Sequence, residues 1–121
     1  MAFTILVVED TADSREFMRL ILEAEGYRVL EAENGVTAVE TAQRERPDAI
    51  LMDMSLPLID GCQATRLIRE IPALRAIPII ACTAYSQSDW RGQAVQAGCN
   101  DFLTKPLEGK LLLTILASYL S

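Results

Sequence analysis

Apolar and polar positions alternate in blocks along this chain: short continuous apolar runs, each followed by a stretch with helical spacing. Phe3 to Val8 is an apolar, β-rich run that predicts a first strand. From Thr11 to Glu25, Phe17, Leu20, Ile21 and Ala24 recur at helical spacing, and Gly26 supplies a stop. Tyr27 to Leu30 predicts a short second strand. Asn34 and Gly35 then lead into a helix carrying Ala38, Val39 and Ala42, broken before Pro47. Ala49 to Met52 is continuously apolar and opened by Pro47, the pattern of a strand buried on both faces. Beyond a turn at Pro57, Ala64, Leu67, Ile68 and Ile71 mark a third helix, halted at Pro72. Ile77 to Cys82 predicts a fourth strand, and Ser88 to Ala97 a fourth helix ended by Gly98. Asp101 to Leu103 is a brief fifth strand. Leu107 to Tyr119 is a fifth helix with Leu111, Leu112, Ile115 and Leu116 on its apolar face.

Five strand-then-helix units imply an α/β fold, a parallel sheet with helices on both faces. No repeat, low-complexity tract or linker interrupts residues 1–121, so a single domain is expected. At 121 residues, half of them hydrophobic, folding buries roughly two-thirds of the unfolded chain's surface, enough for a real core. The net charge of −6 argues against non-specific binding to nucleic acid or an anionic membrane. The three cysteines, Cys62, Cys82 and Cys99, form no close pair and there is no histidine, so neither a disulfide framework nor a zinc site is expected. Cys82 falls in an apolar run and reads as a small core residue. The sequence opens directly into an apolar strand, without a basic start or a cleavage region, and no apolar run reaches membrane-spanning length; a cytoplasmic protein is the expectation.

The polar residues at the strand ends carry the chemistry. Glu9 and Asp10 follow the first strand, Asp53 ends the third, Thr83 follows the fourth and Lys105 the fifth. In an open α/β sheet, ligands sit beyond the carboxyl ends of the strands. Three carboxylates there repel one another, and a divalent cation relieves that repulsion. Oxygen-only ligands favour magnesium over zinc. A carboxylate nucleophile, a metal, an ammonium and a hydroxyl together make a site that binds or transfers a phosphoryl group. Each residue also has a plainer reading: Glu9 and Asp10 as caps of the first helix, Thr83 as a cap of the fourth, Lys105 as a solvated lysine at a helix start. Their conjunction at one edge outweighs those readings.

With its surrounding segments, this conjunction resembles the receiver domain of bacterial two-component response regulators. The matching segments are Leu6-Val7-Val8-Glu9-Asp10, Pro47-Asp48-Ala49-Ile50-Leu51-Met52-Asp53, Leu56-Pro57 with Asp60-Gly61, Thr83-Ala84 and Lys105-Pro106, which span essentially the whole chain. The resemblance implies a flavodoxin-like three-layer sandwich, with five helices around a five-stranded parallel sheet of order 2-1-3-4-5. It implies that Asp53 is the phosphoacceptor, and that Glu9, Asp10, Asp53 and the carbonyl of Ser55 hold magnesium. Thr83, Ala84 and Lys105 would bind the phosphoryl group, and Pro106 is the candidate for a cis peptide. Phe102, three residues before the lysine, falls at the aromatic switch position. Drawing Thr83 inward would free space for Phe102, reshaping the face of the fourth helix, fifth strand and fifth helix. Since Phe102 lacks a hydroxyl, a hydrogen bond that tyrosine would make there is absent. The partners implied are a sensor histidine kinase or histidine phosphotransfer protein and a downstream protein target.

Two other classes fit less well. An aspartate-nucleophile phosphatase of the haloacid dehalogenase type usually carries a second Asp two residues after the first, where this chain has Ser55. A flavodoxin-like cofactor binder needs a Ser/Thr/Gly-rich loop after the first strand, where Glu9 and Asp10 would repel phosphate. Trp90, the single tryptophan, lies four residues before Ala94 and seven before Ala97, a spacing that admits a core-facing side chain. With Tyr85 nearby, it equally admits an anchor for a partner. A chain of this extent is expected to be either a stand-alone receiver or one excised from a longer protein.

Overall fold

A computed structural model of the chain describes residues 2–84 and 88–120, with residues 88–90 described only as helix. The strands are β1 (Thr4–Val8), β2 (Arg28–Ala32), β3 (Ala49–Asp53), β4 (Ile79–Thr83) and β5 (Asp101–Thr104). The helices alternate with them: α1 (Ala12–Ala24), α2 (Gly35–Glu45), α3 (Gly61–Glu70), α4 (Ser88–Ala97) and α5 (Gly109–Leu120). A short 3-10 turn at Pro72–Leu74 follows α3, where the sequence shows only a proline stop. All pairings are parallel and the order is β2-β1-β3-β4-β5, the flavodoxin-like arrangement.

Strand alternation divides the core in two. Leu6, Val8, Ile50, Met52, Ile79 and Ala81 face Ala38, Ala42, Ala64, Ile68, Ala94 and Ala97 on α2, α3 and α4. Ile5, Val7, Leu51, Ile80 and Cys82 face α1 and α5 through Met18, Leu22, Leu112, Leu116 and Leu120. β3 and β4 are buried along their whole length, because helices cover both faces of the central strands.

Helix phase is where spacing misleads. Phe17 and Leu20 are 49% and 55% exposed, whereas Met18 and Leu22, one turn apart, enter the core. Leu67 and Leu111 also face outward. These helices carry more apolar positions than one stripe can hold, so periodicity finds the helix, and contact with the sheet selects the stripe. Helix ends follow local chemistry: Asn34 accepts a hydrogen bond from the Thr37 N–H at 2.8 Å. Asp60 and Gln63 form a reciprocal capping box at the start of α3. β2 and β3 run further toward their C-termini than the apolar runs require, ending at Ala32 and Asp53.

The opposite end of the sheet is tied by Arg69, a residue that spacing did not single out. Its guanidinium donates to the carbonyls of Gly98, Leu74, Arg75 and Ile77 and to Asn100 Oδ1, at 2.7–3.2 Å. Asn100 Oδ1 also accepts from the Ile79 N–H at 2.8 Å, so one cation joins α3, the approach to β4 and the α4–β5 turn. Burial lowers the Arg69 pKa from its ordinary value. Replacing Arg69 with Met keeps the stem and orphans several carbonyls. Urea denaturation is expected to show a loss of roughly 2–4 kcal/mol, with Arg69→Lys in between.

Candidate functional site

Three parallel strands deliver the site. β1 ends into Glu9 and Asp10, β3 ends on Asp53, and β5 runs out into Lys105. Because β1 pairs with β3 and β3 with β4, their C-terminal ends lie side by side although the residues are far apart in sequence. Glu9, Asp10 and Asp53 each bring a carboxylate oxygen within 4.8 Å of the others. Glu9 and Asp53 are buried, at 1% and 3% exposure, and Asp10 is exposed.

Lys105 makes this arrangement tolerable. Its ammonium lies 2.5 Å from Glu9 Oε1 and 3.1 Å from Asp53 Oδ2. Burial alone would lower the lysine pKa, but the hydrogen bonds and charges of Glu9 and Asp53 together push it up. Glu9 Oε2 accepts from the Thr11 N–H at 3.1 Å, at the start of α1. That contact is the helix-entry role its position allows, and Glu9 fills it while holding Lys105. Asp53 Oδ1 accepts from the Ser55 N–H at 3.0 Å. The Asp10 carboxyl is raised above its usual range, first by its hydrogen bond with Glu9, then by burial and by the Glu9 charge.

The other residues singled out from sequence fall around this cluster. Thr83 is buried at the end of β4 and Ala84 is exposed just beyond it. Ser55 is exposed on the loop after β3, and the Lys105–Pro106 peptide is cis. Phe102 lies half-buried in β5, packed against the core on the α4 side, with the Arg91 guanidinium 6.0 Å from its ring centroid. Tyr85 and the side chain of Trp90 lie outside the described residues. Cys82, paired with Asp53 in the sheet, is fully buried; burial and the Asp53 charge push its thiol up to about 12. It is a protonated core group, as its apolar setting implied.

Sequence inspection missed Arg15, which donates to the Glu9 carbonyl at 2.9 Å and pairs with Glu31 of β2 at 3.3 Å, bracing the loop that carries the acidic pair. No local signal marks it, since its partners lie on other elements. A cleft of about 350 Å³ opens beside Lys105, bounded by Asp13, Ser14, Phe17, Pro106 and Leu107. The exposure of Phe17 makes one wall of that cleft apolar.

The donor set fits a hard divalent cation: three carboxylates converge with no nitrogen or sulfur ligand among them. Among the described residues no helix is long and apolar enough to cross a membrane.

Residues 5–117 match the family model of the response regulator receiver domain. The polar-differentiation response regulator DivK of Brucella anthropi is 33% identical over 120 residues, covering 99% of this chain and 98% of the relative. Among solved structures, the receiver domain of sensor histidine kinase PA1611 from Pseudomonas aeruginosa is 42% identical with a TM-score of 0.92, covering 98% of each chain. That structure has a magnesium ion coordinated in its active site cleft. The chemotaxis protein CheY4 of Vibrio cholerae is 25% identical with a TM-score of 0.94, covering 98% of this chain and 99% of its own.

Substituting Lys105 by Met leaves two buried carboxylates without their shared cation. Denaturation of the metal-free protein at neutral pH is expected to show a loss of roughly 3 kcal/mol. Glu9→Gln in the same background should recover part of it.

Proposed function

The chain belongs to the response regulator receiver domain family, and we propose that Asp53 is the residue on which it accepts the phosphoryl group. The observation that carries this assignment is the position of Asp53: a buried carboxylate at the end of a central strand, bound to the Lys105 ammonium at 3.1 Å and clustered with Glu9 and Asp10. An Asp53 oxygen donates its electron pair to the phosphorus of a phosphohistidine. The P–N bond breaks, its pair returns to the imidazole nitrogen, and that ring takes up a proton from solvent.

Lys105 is already beside Asp53 Oδ2, so the charge gathering on the phosphoryl oxygens meets a pre-placed cation rather than reorganised water. Glu9 holds Lys105 in position, with its own oxygens engaged by the ammonium and the Thr11 N–H. The residues that would hold magnesium are Asp10, Asp53, Glu9 and the carbonyl of Ser55; when bound, the ion supplies further neutralisation of carboxylate and phosphoryl charge. Thr83 and the backbone at Ala84 would bind the phosphoryl oxygens after transfer. The chain thus assists its own phosphorylation and dephosphorylation without turning over a separate substrate.

The acyl phosphate adds about −1.5 to −2 of charge at the end of β3. A shift of Thr83 toward it acts on Phe102, since Thr83 ends β4 and Phe102 lies on the neighbouring strand β5, opposite Ala81. Phe102 has no hydroxyl to bond, and the Arg91 guanidinium beside its ring ties it to α4. The face of α4, β5 and α5 then presents a changed surface to a downstream protein. The donor is a histidine kinase or a histidine phosphotransfer protein. A cytoplasmic site of action fits the three cysteines, all buried and none bridged.

Acetyl phosphate with magnesium should add one phosphoryl group to the purified chain by intact mass, and Asp53→Asn should abolish the gain; equal labelling of the variant would move the acceptor elsewhere. Asp10→Asn removes one charge from the repelling cluster. Its magnesium affinity by calorimetry is expected to fall at least tenfold, while its melting temperature in EDTA stays level or rises.

A further inference from the structure

The loop of residues 54–60 joins β3 to α3, and it is braced at both ends. The Gly61 N–H donates to the Met54 carbonyl at 3.3 Å. Gly61 lies so close to β3 that a Cβ there would collide with the Asp53 carbonyl oxygen. Ile59 packs against the core, and its carbonyl presses on Gly35 at the start of α2, where a Cβ would again collide. Asp60 caps α3.

On this braced arch stands Leu58, in left-handed backbone at φ 71°. It is 76% exposed, the most exposed large hydrophobic side chain among the described residues. Scattered exposed leucines are ordinary on protein surfaces. This one is held in a conformation that Gly or Asn adopts more readily, on a loop that starts at the buried nucleophile. Three peptide links of about 3.8 Å place its Cα at most ~11 Å from that of Gly61, itself in contact with Asp53. A protein pressed onto Asp53 with a standard footprint of about 800 Å² covers a disc of roughly 16 Å radius. Asp53 is only 3% exposed, so a phosphohistidine must be brought close against this edge, and Leu58 falls within the footprint.

We propose that Leu58 is an apolar anchor for the protein that carries the phosphohistidine, a specificity-determining contact engaged in transfer between proteins and idle when the donor is a small molecule. The proposal rests on the assignment of Asp53 as acceptor. The surface it meets is an apolar hollow beside the donor histidine, and burial of one leucine there is worth roughly tenfold or more in affinity.

The test compares the wild-type chain, Leu58→Asn and Leu58→Met with two donors of the same P–N chemistry. One is ammonium phosphoramidate with magnesium. The other is a histidine phosphotransfer domain, phosphorylated on its histidine and chosen from a panel for transfer to the wild-type chain. Leu58→Asn should melt no lower than wild type, since Asn accepts the left-handed backbone, and should take phosphoryl from phosphoramidate within about twofold of the wild-type rate. With the protein donor its KM should rise about tenfold or more at little-changed kcat, and Leu58→Met should stay near wild type. An unchanged KM overturns the proposal, as does an equal slowing with both donors, a failure of Leu58→Asn to fold, or the absence of any protein donor for the wild type. If the wild-type chain takes no phosphoryl from phosphoramidate, the assignment of Asp53 itself falls.

Discussion

Two carboxylates with almost no access to water share one ammonium at the end of the central strands. Glu9 and Asp53 lie at 2.5 Å and 3.1 Å from Lys105 Nζ. Either carboxylate alone, buried and unpaired, would cost several kcal/mol; held by Lys105, both stay beside the exposed Asp10. The result is a pocket with a surplus of negative charge, suited to a cation and hostile to a bare anion. Lys105 is the positive charge built into that pocket.

The sheet explains how such a cluster forms. Lys105 and Glu9 are 96 residues apart and Lys105 and Asp53 are 52 apart, yet each sits where a strand ends. Parallel strands point all their C-termini to one edge, so polar residues placed just after apolar runs are gathered automatically. The helices add support rather than ligands: Thr11 at the entry to α1 binds Glu9, and Arg15 in its first turns holds the Glu9 carbonyl. The far edge is tied separately by Arg69, whose guanidinium is satisfied by carbonyls and an amide oxygen rather than by a carboxylate. Charge is concentrated at the C-terminal edge of the sheet, and the opposite edge is held by hydrogen bonds.

The loop after β3 shows a different balance. Gly61 and Gly35 allow close backbone approaches that no side chain would permit, and they spend that closeness on fixing the path of residues 54–60. A slack loop would let Leu58 relax out of left-handed backbone. This one holds it there, projecting into solvent beside the site.

The sequence by itself determined the order of the elements, the parallel α/β class and the strand-end positions of Glu9, Asp10, Asp53, Thr83 and Lys105, because apolar runs, proline stops and capping residues act locally. It also made Cys82 a core residue, since a short apolar run in a central strand has helices on both sides. Tertiary structure alone decided which stripe of α1 faces inward, choosing Met18 and Leu22 over Phe17 and Leu20. With surplus apolar positions on one helix, only the sheet and α5 can set its rotation. Tertiary structure likewise produced the roles of Arg15 and Arg69 and the left-handed Leu58. Each depends on carbonyls or backbones brought near from other elements, and neither spacing nor residue type carries that information before the chain has folded.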